Sequence, residues 1–169
     1  MYVFDATPLI YLATVERLAL LADIPSECVM PERVYDEVVT IGIEQGHVDA
    51  RRIEQTVEDG TLKRRSVAET ALFERLQGND KLSDVDVAVL TLAGEAGATA
   101  VMDEQYGRNV AAVEGIETRG TAYLVLRLLQ EGTLSPTEAR ATIDEMTDGG
   151  WYCAPNLYAE LVQKIEEFE

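Results

Sequence analysis

Two spacings of apolar residues alternate along this chain, and they predict alternating strands and helices. Short apolar runs at residues 3–4, 27–30 and 98–102 predict strands, with shorter candidates at 61–65 and 115–119. Between them the apolar residues recur at helical spacing. Thr7 is placed to cap a first helix with Pro8 at its first position, and Leu9, Ile10, Leu12, Leu18, Leu20 and Leu21 form a broad apolar face. Further helices are predicted over 31–43, ending near Gly46, and over 47–58, 68–76, 83–95, 104–113, 121–130, 136–146 and 156–167. The last carries the stripe Leu157, Leu161, Ile165 and Phe168. Strands alternating with helices predict an α/β fold with a mostly parallel central sheet. With no repeat, low-complexity tract or long linker, residues 1–169 are expected to form one domain, 132–169 being a C-terminal helical extension set off by the Gly149-Gly150 turn.

Composition narrows this picture. A hydrophobic fraction of 47% over 169 residues supports a packed core. No run of about 18 apolar residues is present, so no membrane span is expected. The N-terminus lacks the basic and apolar regions of a secretory signal, and Cys28 and Cys153 have no metal-ligand spacing, so a reduced, cytoplasmic protein is expected. Acids outnumber bases 31 to 14, giving −17, and only Lys63, Lys81 and Lys164 are lysines. Such self-repulsion is relieved by salt, because the Debye length falls to roughly 3 Å at about 1 M. That balance fits a salt-rich, halophilic cytoplasm, and it disfavours nucleic-acid binding except in a local basic groove.

The acids also occupy positions where the apolar pattern calls for something else. Asp5 follows the first strand, at the kind of carboxyl end that lines the crevice of parallel sheets; a plain turn acid is the competing role. Glu37 shares a helical face with Val34, Val38 and Ile41, where an ionised carboxylate needs a partner or a metal unless it reaches water. Asp86 sits on a helix that is apolar almost all round, although Ser83-x-x-Asp86 also reads as a capping box. Asp103 and Glu104 end the 98–102 strand, and successive strand residues point to opposite sides, so only one is expected to face a shared site; the sequence leaves both open. Converging carboxylates are the usual means of holding a hard divalent cation without His or Cys, and the single His47 cannot build an imidazole site alone.

In order and spacing these motifs resemble the PIN-domain nuclease family, in the branch related to VapC-type toxins. The resemblance is carried by Asp5-Ala6-Thr7-Pro8-Leu9-Ile10-Tyr11-Leu12-Ala13, Pro31-x-x-Val34-x-x-Glu37-Val38, and Leu82-Ser83-x-x-Asp86 with Val89-Leu90. It continues through Val101-Met102-Asp103-Glu104 with Gly107-Arg108 and Gly120-Thr121-Ala122-Tyr123-Leu124. It implies a three-layer α/β/α fold and hydrolysis of RNA phosphodiesters with Mg²⁺ or Mn²⁺. Asp5, Glu37, Asp86 and Asp103 are the matching catalytic and metal-binding positions, with Glu104 a rival for the last. The third motif departs from the branch's usual Gly-x-Gly-Glu, because Asp86 is one methylene shorter; Glu104 stands where a second Asp is common. The partners implied are RNA, a small antitoxin protein and a second copy of the chain as a homodimer. A source among halophilic archaea fits the charge balance.

Lys63-Arg64-Arg65, Arg51-Arg52, Arg108 and Arg119 are candidate phosphate contacts. Trp151 and Tyr152 are candidates for stacking on bases, or for packing the C-terminal helices. The competing reading is a catalytically degenerate PIN domain that binds RNA or assembles with partners. A response-regulator receiver would need an acid pair near the start and a late lysine, for which only Lys164 of the final helix is available, and a haloacid-dehalogenase-like phosphatase would need Asp-x-Asp where Asp5-Ala6-Thr7 stands.

Overall fold

Val3 and Phe4 are fully buried on opposite faces of their strand, as expected of a parallel sheet covered on both sides. In a computed structural model describing residues 1–169, five parallel strands lie in the order β3-β2-β1-β4-β5. They are β1 (Tyr2–Phe4), β2 (Cys28–Pro31), β3 (Leu62–Arg65), β4 (Thr99–Val101) and β5 (Thr118–Arg119). The central strand β1 pairs with β2 through Val3↔Val29 and with β4 through Val3↔Ala100. Hydrophobicity sorts the strands. Val29, Met30, Ala100 and Val101 are wholly buried in β2 and β4, whereas β3 buries Leu62 and exposes Lys63 and Arg64 at the sheet edge. Chain order runs outward from β1 to β3, then returns to β4 beside β1, which makes the β1–β4 boundary the switch point of the sheet.

The helices are α1 (Ala6–Thr14), α2 (Glu32–Tyr35), α3 (Gly42–Glu44), α4 (Val48–Glu58), α5 (Ala71–Gln77), α6 (Asp84–Ala96), α7 (Gln105–Val113), α8 (Thr121–Gln130), α9 (Pro136–Asp148) and α10 (Pro155–Glu166). They flank the sheet in a three-layer α/β/α arrangement. Helix α6, apolar almost all round, lies across β1, β2 and β4 with α5 on its outside; α4 packs on α1 and covers β3. Helix α9 packs against α8, α10 and α1, so the hydrophobic cluster that begins at Val3 continues into Leu161 and Ile165. No helix is long and apolar enough to cross a membrane.

Three local differences from the apolar pattern have physical causes. Asp5, not Thr7, caps α1, because its side chain accepts from Ala6 N–H. The first apolar face is broken after Thr14 by Glu16 in the left-handed region (φ 56), and Leu18–Asp23 form a separate 3₁₀ turn that still buries Leu18 and Leu21. Between α2 and α3 the chain forms a π-helical turn over Asp36–Ile41. Its wider turn shifts the inward face by a residue: Val34, Val38 and Val39 are buried, while Ile41 is exposed. Likewise Leu161 and Ile165 of α10 are buried, but Leu157 and Phe168 remain exposed.

Candidate active site

Asp5 is the first residue beyond β1, and its N–H donates to Val101 O of β4 at 3.0 Å. That bond pins it at the switch point. It is 7% exposed, the one acid counted among the buried residues. Its Oδ1 accepts from Ala6 N–H at 2.7 Å. Burial pushes its carboxyl up to about 7, against the lowering pull of that N–H; the charges of Asp86, Glu37 and Asp103 push it the same way. These three acids therefore share a field with Asp5, although they reach it from separate elements.

Asp86 arrives from the first turn of α6. The capping box is real: Asp86 Oδ2 accepts from Ser83 N–H at 2.9 Å, and Ser83 Oγ accepts from Asp86 N–H at 3.1 Å. Asp86 is half-buried, with Oδ1 outside this box. Asp103 follows Met102 at the end of β4. Its Oδ1 accepts from Thr121 N–H at 2.7 Å, and its Oδ2 from Thr121 Oγ1–H at 2.6 Å and from Trp151 Nε1–H at 3.1 Å. Asp5, Asp86 and Asp103 thus stand at the N-termini of α1, α6 and α8, each tied to a backbone N–H where the partial positive charge of a helix favours an anion.

Glu37 lies in the π-helical turn and is exposed. The expectation that it points at the core is corrected here, because the shifted register turns its position outward. A recess of about 370 Å³ opens beside it, floored by Ile10, Val38 and Ile53. Glu104 caps α7 instead: its two carboxylate oxygens accept from Tyr106 and Gly107 N–H at 2.9 and 2.7 Å. The strand end directs Asp103 toward α8 and Asp5, and Glu104 toward α7.

None of Asp5, Glu37, Asp86 or Asp103 is ion-paired, whereas most bases are. Lys63 and Arg65 bind Glu27, Arg64 binds Glu32, Arg51 binds Glu54, Arg52 binds Glu16 and Asp49, and Arg119 binds Glu117. Among the candidate phosphate contacts only Arg108 is left unpaired. It flanks the site: a Cβ added to Gly120 would stand 2.9 Å from Asp103 Oδ1 and 3.3 Å from Arg108 NH1. Gly120 is therefore bare because Asp103 must pass it to reach Thr121.

The donor set suits a hard divalent cation in chemistry and charge: all oxygen, anionic and without basic partners. As placed, no three acidic, His or Cys side chains close on one ion, so direct ligation by a full carboxylate cage is not what this arrangement offers. It fits a cation that keeps several waters and takes one or two carboxylates directly, as Mg²⁺ does.

Two contributors were not identified from the sequence. Thr121 lies within a motif that carried the family resemblance, but its hold on Asp103 appears only when α8 is folded onto β4. Trp151 is 5% exposed and cannot stack on a base, while Tyr152 is 82% exposed. No spacing rule links residue 151 to residue 103.

A family model described as a PIN domain matches residues 1–167. No curated protein and no solved structure matches the chain.

Proposed function

The chain belongs to the PIN-domain family, and from that premise we propose that it is a metal-dependent ribonuclease cleaving RNA phosphodiesters at the β1–β4 switch point. One observation carries the reading: Asp5 is buried, raised to about 7, and faces three further acids with no basic partner among them. Uncompensated burial of that kind is unfavourable for stability alone, and it is the usual signature of a functional site.

In this reading Asp5 and Asp103 would hold Mg²⁺ or Mn²⁺ directly, because both are fixed at strand ends by backbone bonds. Glu37 and Asp86 would hold the water that such an ion keeps. The cation, when bound, lowers the pKa of water and offsets charge on the attacked phosphate. Glu37, exposed beside the recess, would take the proton that water sheds as its oxygen bonds to phosphorus, and the leaving oxygen would take a proton from solvent as its own bond to phosphorus breaks. Arg108 contacts a phosphate of the substrate, and single-stranded RNA presents its phosphates to such a crevice more freely than a duplex does. The restraint of such an activity by a small antitoxin protein completes the proposal.

The deciding assay is Mn²⁺-dependent cleavage of labelled RNA at high salt by wild type, Asp5→Asn and Glu37→Gln. Equal rates in all three would sink the site. Two features favour a catalytically silent RNA-binding module instead: no three acids close on an ion, and the shortened Asp86 is engaged in its capping box. RNA retained without cleavage at any Mn²⁺ concentration would select that reading.

A further inference from the structure

Asp103 is held from two places far apart in the chain. Thr121 grips it from the start of α8, and Trp151 from the turn between α9 and α10. The turn is built to deliver that ring. Helix α9 ends at Asp148, and Gly150 adopts φ +103, a conformation open to glycine and strained for other residues. Trp151 N–H then donates to Met146 O at 2.9 Å, and Met146 is fully buried. The ring itself is 5% exposed, so its N–H, a donor with no acceptor capacity, requires a buried partner. The partner it finds is the carboxylate at the end of β4.

The stoichiometry is informative. A carboxylate offers about four lone-pair sites. Thr121 occupies one on each oxygen, and Trp151 takes the second site on Oδ2. Free acceptor capacity is left on Oδ1, and three donors on two oxygens prevent the group from rotating about Cβ–Cγ. Packing alone would be served by a phenylalanine. The hydrogen bond would not, and it is the only polar tie from the C-terminal turn to the proposed site.

We infer that Trp151 is a positioning residue for the site: its indole N–H fixes the Asp103 carboxylate in its ligating orientation and makes the α9–α10 turn a working part of the active centre. The inference rests on the proposed role of Asp103 as a metal ligand. Loss of such an outer partner weakens metal affinity or activity by about 10–100-fold.

The test compares wild type, Trp151→Phe and Asp103→Asn, with Mn²⁺ binding measured by calorimetry. Trp151 is the chain's single tryptophan, so indole emission reports on this site alone. Bound Mn²⁺ should quench wild-type emission saturably at the calorimetric midpoint, with Mg²⁺ reversing the quench, and Asp103→Asn should lose the response. Trp151→Phe should melt close to wild type, bind Mn²⁺ about 10–100-fold more weakly, and recover cleavage as Mn²⁺ is raised. A folded Trp151→Phe protein with wild-type Mn²⁺ affinity and cleavage would overturn the inference and leave the nuclease reading standing. Should that variant fail to fold, the wild-type emission decides: calorimetric binding without quenching overturns the inference. No Mn²⁺ binding by wild type overturns both.

Discussion

Asp103 and Glu104 are consecutive residues whose carboxylates are committed to different helices. Asp103 receives Thr121 N–H at the start of α8, and Glu104 receives Tyr106 and Gly107 N–H at the start of α7. The end of β4 therefore splits two adjacent acids between a site and a cap. Glu104→Ala should lower stability by about 1 kcal/mol through the lost cap and leave Mn²⁺ affinity unchanged. Asp103→Asn should abolish cleavage. Thermal melts paired with Mn²⁺ calorimetry separate the two, and a Glu104 variant that loses the metal would reverse the assignment.

The raised carboxyl of Asp5 predicts a pH dependence of definite sign. Its proton is held more tightly in the folded chain, at about 7, than at the ordinary value of 3.8. Stability from the protonated form is thus complete below about 3.8 and is lost as pH rises to about 7. The full effect is of order 4 kcal/mol, at about 1.4 kcal/mol for each pH unit. Asp5→Asn stays neutral throughout, so its melting temperature should gain on metal-free wild type across this window. A gap that stays constant would contradict the burial argument. Metal affinity should move the opposite way, climbing with pH, because the ligand must shed its proton.

Gly120 tests the site's tolerance for displacement. Its backbone (φ −89, ψ 174) suits any residue, so Gly120→Ala acts through contact alone. The new Cβ would meet Asp103 Oδ1 at 2.9 Å, closer than such atoms approach. Overpacking of this kind destabilises by about 1–3 kcal/mol. The expected result is a modestly lowered melting temperature with a disproportionate loss of cleavage. Unchanged turnover would show that Asp103 moves freely.

Arg108 should act on substrate affinity. Arg108→Ala is expected to raise KM for RNA and to lower the dependence of log affinity on log salt by about one phosphate contact. The same change at Arg64, which is paired with Glu32, should alter neither. An unaltered salt slope in the Arg108 variant would remove it from the substrate path.

Salt should stabilise the metal-free chain. At −17 the net repulsion acts over the whole surface, whereas the exposed ion pairs that salt weakens contribute little each. Raising KCl from dilute buffer to about 1 M should therefore raise the melting temperature. A fall would mean that the ion pairs outweigh the repulsion.

Much of the fold can be read from the chain because its signals are local. Strands β1, β2 and β4 are apolar on both faces, and α6 and α9 carry local capping boxes, Ser83 with Asp86 and Ser135 with Glu138, that need no distant neighbour to interpret. The site was less legible. Glu37 read as an acid aimed inward, since an ideal helix puts it beside Val34 and Ile41; the π-helical turn shifts that register, and Glu37 and Ile41 face water. Asp5 had a plain turn acid as its competing role, yet it is the acid that burial perturbs. Its environment comes from β4, α6 and the π-helical turn, all distant in sequence.

The sequence by itself determined the parallel α/β layering, the helix starts at Ser83 and Pro136, and the set of acids from which a site can be drawn. Periodicity and capping act over a few residues and survive translation into structure. Only the tertiary structure decided which acid is buried, that Asp103 turns to the site while Glu104 closes α7, and that Trp151 reaches back from the C-terminal turn. Those outcomes depend on desolvation and on donors brought together by packing, and neither is a property of neighbouring residues in the chain.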